Sequence, residues 1–244
     1  MDPRPAPAVG PASTPVPQPG PAPAPGPASQ PATGPVPQSG PAPALERVPL
    51  PGTAPAAGPR AAPALEPRTE EARDHEAVLD LHRRAFGDHG RVVADLVRGL
   101  RRDDPDALSL VAVADGAVVG HVLFSRSLLD APRRLVPVQV LSPLAVTPEL
   151  HRRGIGADLV RHGLARLDRA GVPLVFLEGD PRYYSRLGFS AGREHGFRRP
   201  SLRIPEAAFQ VIRLSAYQPW MTGTLVYSAT FWEHDCVGLR DPQA

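Results

Sequence analysis

Residues whose types and spacing could do chemistry fall in two stretches. The first runs from Val138 to Gly156, VQVLSPLAVTPELHRRGIG. There His151, Arg152, Arg153, Gly154, Ile155 and Gly156 lead from an apolar run into a long amphipathic pattern. A helix opening at that point presents unpaired backbone N–H groups. Arginines flank them, and two glycines allow close approach, which makes a site for a phosphate or pyrophosphate. The second stretch, EGDPRYYSRLGF, runs from Glu178 to Phe189. Glu178 and Asp180 are carboxylates that could take up a proton. Tyr183 and Tyr184 are phenols, protonated at neutral pH, that could give one to a leaving group. Asp180 before Pro181 is also a natural helix cap.

These residues need elements to hold them. Val138, Val140, Leu141, Leu144, Ala145 and Val146 form an apolar, partly β-branched run that suits an inner strand. Pro143 cannot donate to a ladder, so a bulge or splay is expected there. After Gly156 a helix carries Ile155, Leu159, Val160, Leu164 and Leu167, and Gly171 closes it. PLVFL, Pro173–Leu177, reads as a second inner strand. Strand, helix and strand in that order make a crossover unit with parallel strands.

Upstream, a short strand is expected near Leu65–Arg68, then a helix capped by Thr69 with Glu70 and Glu71 in its first turn. Val78, Leu81, Ala85 and Phe86 recur at helical spacing, and a second helix carries Val92, Val93, Leu96, Val97 and Leu100. Asp115-Gly116 marks a tight hairpin turn between two apolar strands. Arg126–Val136 reads as a looser connection. Phe209–Leu214 and Thr224–Tyr227 read as further strands, while Gly192–Pro205 is weakly patterned.

Composition narrows the classes. The chain has 244 residues, 42% hydrophobic and 21% charged, with a formal net charge of +2. That charge gives no case for nucleic acid. Lysine is absent, so a Schiff-base lysine and a Walker-type phosphate lysine are excluded. The single Cys236 permits no internal disulfide and no cysteine-based zinc site, so no metal is expected. No apolar run reaches membrane-spanning length and no leader pattern is visible, so a cytoplasmic setting without membrane attachment is expected. Residues 1 to about 67 hold 22 of the 33 prolines. Residues 1–64 are expected to be a disordered Pro/Ala-rich tail with polyproline II character, and 65–244 a folded domain. A protein partner for the tail and a homodimer both stay open.

The order of elements and three motifs resemble the GNAT superfamily of acetyl-CoA-dependent N-acetyltransferases. DGAVVGHVLFS, Asp115–Ser125, looks like the family's central hairpin. LAVTPELHRRGIGADLV, Leu144–Val160, is similar to its strand, pyrophosphate loop and helix. GDPRYYSRLGF, Gly179–Phe189, resembles the segment that carries the family's tyrosine, with Tyr184 five residues before Phe189. The family's loop usually opens with Gln or Arg, where this chain has His151. The resemblance implies an α/β (α+β) fold, a central mixed sheet flanked by helices. It implies acetyl-CoA as cosubstrate. Main-chain groups of Leu144, Ala145 and Val146 would meet the pantetheine arm, and the amides of Arg153–Gly156 the pyrophosphate. The reaction implied is direct acetyl transfer to an amine of a small molecule or peptide, with Tyr184 as acid, Tyr183 as its fallback and Glu178 as base. Freed amides near Leu144 would stabilise the oxyanion. A non-catalytic acyl-CoA-binding regulatory domain with a proline-rich interaction tail is the alternative. His121 reads first as a satisfied sheet histidine, and Cys236 as an ordinary thiol.

Overall fold

The computed structural model describes residues 65–238. The expectations for the proline-rich tail lie outside the described residues. In chain order come β1 (Arg68–Thr69), α1 (His75–Ala85), α2 (Gly90–Asp103), β2 (Leu108–Ala114), β3 (Ala117–Asp130) and β4 (Leu135–Val146). Then follow α3 (Ile155–Arg169), β5 (Leu174–Glu178), α4 (Pro181–Tyr184), β6 (Ser190–Ala191) and β7 (Phe197–Arg198). β8 (Phe209–Arg213), β9 (Gly223–Val226) and α5 (Ala229–Glu233) complete the described chain.

The nine strands of the described residues join one mixed sheet in the order β1-β2-β3-β4-β5-β8-β6, with β9 on β3 and β7 on β9. β4 and β5 are parallel, as the crossover through α3 requires. Alternation along the strands divides the core in two. Val111, Leu123, Val138, Val140 and Phe176 pack with α1 and α2 on one face. Leu110, Phe124, Leu141, Val175 and Leu177 pack with α3 on the other.

Two expectations need correction. The stretch Arg126–Val136 is no loose connection. β3 runs on to Asp130, β4 begins at Leu135, and the two pair through Asp130↔Leu135 as a second hairpin. Buried Ser125 and Ser127 occupy inner positions that an apolar alternation would have marked. Nor does α1 begin after Thr69. Glu70 N–H instead extends the sheet edge by donating to Ser109 O at 3.0 Å. The Glu70 carboxylate turns inward to Arg101 and Ser109. Asp74 marks the helical start, with its carboxylate accepting from Glu71 N at 2.8 Å and from both Arg68 guanidinium nitrogens at 2.6 and 2.8 Å.

The bulge at Pro143 is present. Val122 faces Leu144 but Phe124 faces Leu141, so Ser142 and Pro143 together oppose Leu123. Just before it the parallel ladder ends. Only Gln139↔Val175 and Val140↔Phe176 are paired between β4 and β5, so the last residues of β4 have no partner in β5. What lies at this divergence organises the candidate site.

Candidate active site

After the bulge, β4 runs into the expected loop. Arg152 holds a left-handed backbone at φ 62° and Gly154 at φ 90°. A non-glycine residue pays a steric cost there, and such strain gathers at binding loops. Gly154 caps α3 without any side-chain cap bond, so the first-turn N–H groups have no capping side chain. His151 Nε2 donates to Val146 O at 2.9 Å and fastens the loop to the strand end. A Cβ on Gly156 would lie 2.7 Å from the Tyr183 hydroxyl, which accounts for glycine at that close approach.

A cavity of about 600 Å³ opens at this loop. Leu144, Val146, His151, Arg152, Gly154 and Ile155 line it, together with Gly156, Tyr183 and Arg186. Arg152 and Arg186 bring positive charge to the helix N-terminus, a combination that suits a phosphorylated ligand.

The bulge and the residue Val140 before it line a different cavity. Val140, Ser142 and Pro143 border a space of about 410 Å³ that also holds Glu178. Gly179 N–H donates to Ala208 O at 3.0 Å and Gln210 Nε2 donates to Gly179 O at 3.0 Å, which fixes the end of β5. Glu178 Oε1 accepts from the Tyr227 hydroxyl at 2.8 Å and Oε2 from Gly238 N–H at 3.0 Å. Burial holds the Glu178 carboxyl above the usual carboxylate range, against the pull of the Tyr227 and Gly238 donors and of the Arg203 charge. One strand therefore serves both cavities, with the Ser142-Pro143 bulge between them.

Comparison with known proteins bears on this arrangement. The acetyltransferase (GNAT) domain family matches residues 66–192. The chain belongs to the GNAT family of acetyltransferases. The uncharacterized N-acetyltransferase YjhQ of Escherichia coli (strain K12) is 35% identical over 156 residues, 62% of this chain and 84% of the relative. The crystal structure of the GNAT family N-acetyltransferase YhbS from Escherichia coli, in complex with CoA, superposes with a TM-score of 0.62. It is 34% identical and covers 70% of this chain and 95% of its own. A GNAT family acetyltransferase from Brucella melitensis, in complex with acetyl-CoA, gives a TM-score of 0.54 at 31% identity, with 68% and 96% covered.

In this N-acetyltransferase the anticipated loop residues come together except two. Arg153 is exposed and does not line the loop cavity, and the Ala145 side chain is buried. The tyrosines divide. The Tyr183 hydroxyl reaches the loop, while the Tyr184 ring lies against Gly179, where a Cβ would meet Tyr184 Cε2 at 2.4 Å. Tyr184 packs edge-on against Tyr183 and Phe189, with centroids 4.9 and 5.8 Å apart, and burial raises its phenol pKa. Asp180 caps α4 by accepting from Arg182 N–H at 2.9 Å and pairs with the Arg182 guanidinium. His121 is fully buried, 2.7 Å from His82 Nε2 and 2.8 Å from Ser109 Oγ. Its place is a polar network beneath α1 and α2, as a sheet histidine.

Sequence reading did not anticipate Arg186, Tyr227 or Gly238 at these cavities. Arg186 could have been found, since it follows Tyr183 by three positions along a short helical turn, the spacing that puts two side chains on one face. Nothing local marks Tyr227 or Gly238. Among the described residues no helix is long and apolar enough to cross a membrane.

Proposed function

We propose that this N-acetyltransferase moves the acetyl group of acetyl-CoA directly to a primary amine. One observation carries the reading. β4 stops pairing with β5 and bulges, with an anion-suited loop cavity after the bulge and the half-buried Glu178 carboxylate in the cavity on its other side. A thioester laid along the unpaired end of β4 would have its phosphates at the loop and its carbonyl near the bulge. The relatives solved with CoA and acetyl-CoA support that choice of donor.

The residues then divide the work. The amides of Gly154–Gly156, with Arg152, Arg186 and the α3 dipole, hold the pyrophosphate. Main-chain groups of Leu144, Ala145 and Val146 align the pantetheine arm. Amides freed at the bulge stabilise the oxyanion. Glu178 takes the proton from the incoming ammonium, so that the nitrogen lone pair can attack the carbonyl carbon. The C–S bond breaks, and Tyr184, kept protonated by its burial, supplies the proton to the departing thiolate. A cytoplasmic setting fits a donor of this kind.

The test is calorimetric titration with acetyl-CoA, followed by thiol release with and without amines. Saturable binding and amine-dependent release support the reading. Saturable binding without release from any amine in a broad panel overturns it in favour of a non-catalytic acyl-CoA-binding domain.

A further inference from the structure

The acetyl-transfer reading leaves its second substrate unnamed, and the Glu178 cavity supplies evidence on it. We propose that the acceptor is a small primary amine with an apolar alkyl or aryl body, bound in this cavity. The inference rests on the acetyl-transfer reading for the chemistry, but not for the binding.

Size comes first. A space of about 410 Å³ lies at the small end of ligand pockets, which run from about 300 to 1,000 Å³. Lining chemistry comes second. Phe86, Val92, Leu96, Val140, Pro143 and Phe231 give the wall its large apolar side chains. Phe86 and Val92 stay 37% and 42% exposed, large apolar side chains left open to solvent on this wall. A ligand with an apolar body would cover them.

Besides Glu178, the polar side chains on the wall are His89, Ser142, Tyr227, Asp235 and Cys236, and the last three are engaged. Tyr227 and Gly238 both donate to Glu178, Cys236 Sγ donates to His234 O at 3.4 Å, and Asp235 holds Arg203 at 3.1 Å. A polyhydroxylated amine would set most of its hydroxyls against apolar wall, with only His89 and Ser142 beside Glu178 left to pair them, and unpaired hydroxyls are costly to bury. An ammonium has its counter-charge in Glu178, whose two carboxylate oxygens retain acceptor capacity beyond the two donors they already bind. Part of the wall lies outside the family-matched region. Pro205, Tyr227, Phe231, Cys236 and Gly238 all follow residue 192, where the family match ends.

Cys236 makes the proposal testable without turnover. It is the sole cysteine of the chain and lines the cavity, so its modification reports occupancy. The full chain, held with a non-transferable thioether analogue of acetyl-CoA, is treated with a small methanethiosulfonate. Hexylamine, phenethylamine, glucosamine and a free tripeptide are compared as protectants, and thiol release from acetyl-CoA is measured separately with each. Hexylamine and phenethylamine are expected to slow Cys236 modification about tenfold at concentrations where the other two do not. Phe86→Ala and Val92→Ser, both at exposed positions, are expected to weaken that protection about tenfold. Equal protection by glucosamine or the tripeptide, or protection by none, overturns the proposal. Protection by the apolar amines without thiol release upholds the cavity assignment and overturns the acetyl-transfer reading instead.

Discussion

Tyr227 donates its hydroxyl to Glu178 Oε1 at 2.8 Å, across 49 residues of chain. The bond ties a strand end inside the family-matched region to a segment beyond it. It also opposes the dominant effect on Glu178, because burial raises that carboxyl and the Tyr227 donor stabilises its ionised form.

A pH profile follows from that balance. A base must be ionised to act, so kcat/KM should rise with pH through a midpoint above the ordinary glutamate value of about 4.3. Tyr227→Phe removes a donor to the carboxylate and should move that midpoint higher still. Activity is then lost mainly on the acidic side and recovered as pH rises. Initial rates across pH for both proteins check this, and an unmoved midpoint would detach Tyr227 from Glu178.

The same carboxylate should cost stability. Its folded pKa is raised, so the folded state holds the proton more tightly than the unfolded one. Stability therefore falls as pH climbs from the ordinary glutamate value through the raised one. Glu178→Gln removes the charge yet can still pair. Its carbonyl can accept from Gly238 N–H, while its amide donates to a rotated Tyr227 hydroxyl. The variant is expected to melt at a higher temperature than the parent chain at neutral pH. Thermal melts at pH 4 and pH 7.5, flanking the transition, would show the gain confined to the higher pH.

Asp74 behaves in the opposite sense. The Arg68 guanidinium beside it, with the Glu71 N–H, holds its carboxyl down at about 2 despite its burial. Its contribution is present above the ordinary aspartate value and is lost as pH falls through about 2. Asp74→Asn should cost about 1–3 kcal/mol at neutral pH. In acid denaturation the difference from the parent protein should shrink between pH 4 and 2.

Much of this architecture is legible locally. Asp115-Gly116 announces its hairpin, and Pro143 announces the bulge because it has no N–H to give. The loop at His151–Gly156 is marked by glycine spacing ahead of an amphipathic run. What escapes is the part set by distant contacts. Ser125 and Ser127 are buried in β3 though their hydroxyls read as surface. Glu70 leaves a helix start that its charge favours because Arg101 and Ser109 draw it inward. The Glu178 cavity unites the turn between α1 and α2, α2 itself, β4, β5 and the final segment, and no single stretch of sequence records that meeting.

The two tyrosines should separate by assay. The Tyr183 hydroxyl touches the loop at Gly156, so Tyr183→Phe should change acetyl-CoA affinity by a few-fold with turnover largely kept. Tyr184→Phe should keep acetyl-CoA affinity and lose about 10²-fold or more in kcat. The reverse pattern would assign the acid role to Tyr183.

The central claim is that acetyl transfer depends on Glu178 at the divergence of β4 and β5. Its most direct test is thiol release by the parent chain and by Glu178→Gln, with acetyl-CoA affinity measured in parallel. The prediction is unchanged affinity and a kcat lowered about 10²–10⁴-fold at neutral pH. Turnover by Glu178→Gln close to that of the parent chain, at equal acetyl-CoA affinity, would contradict it.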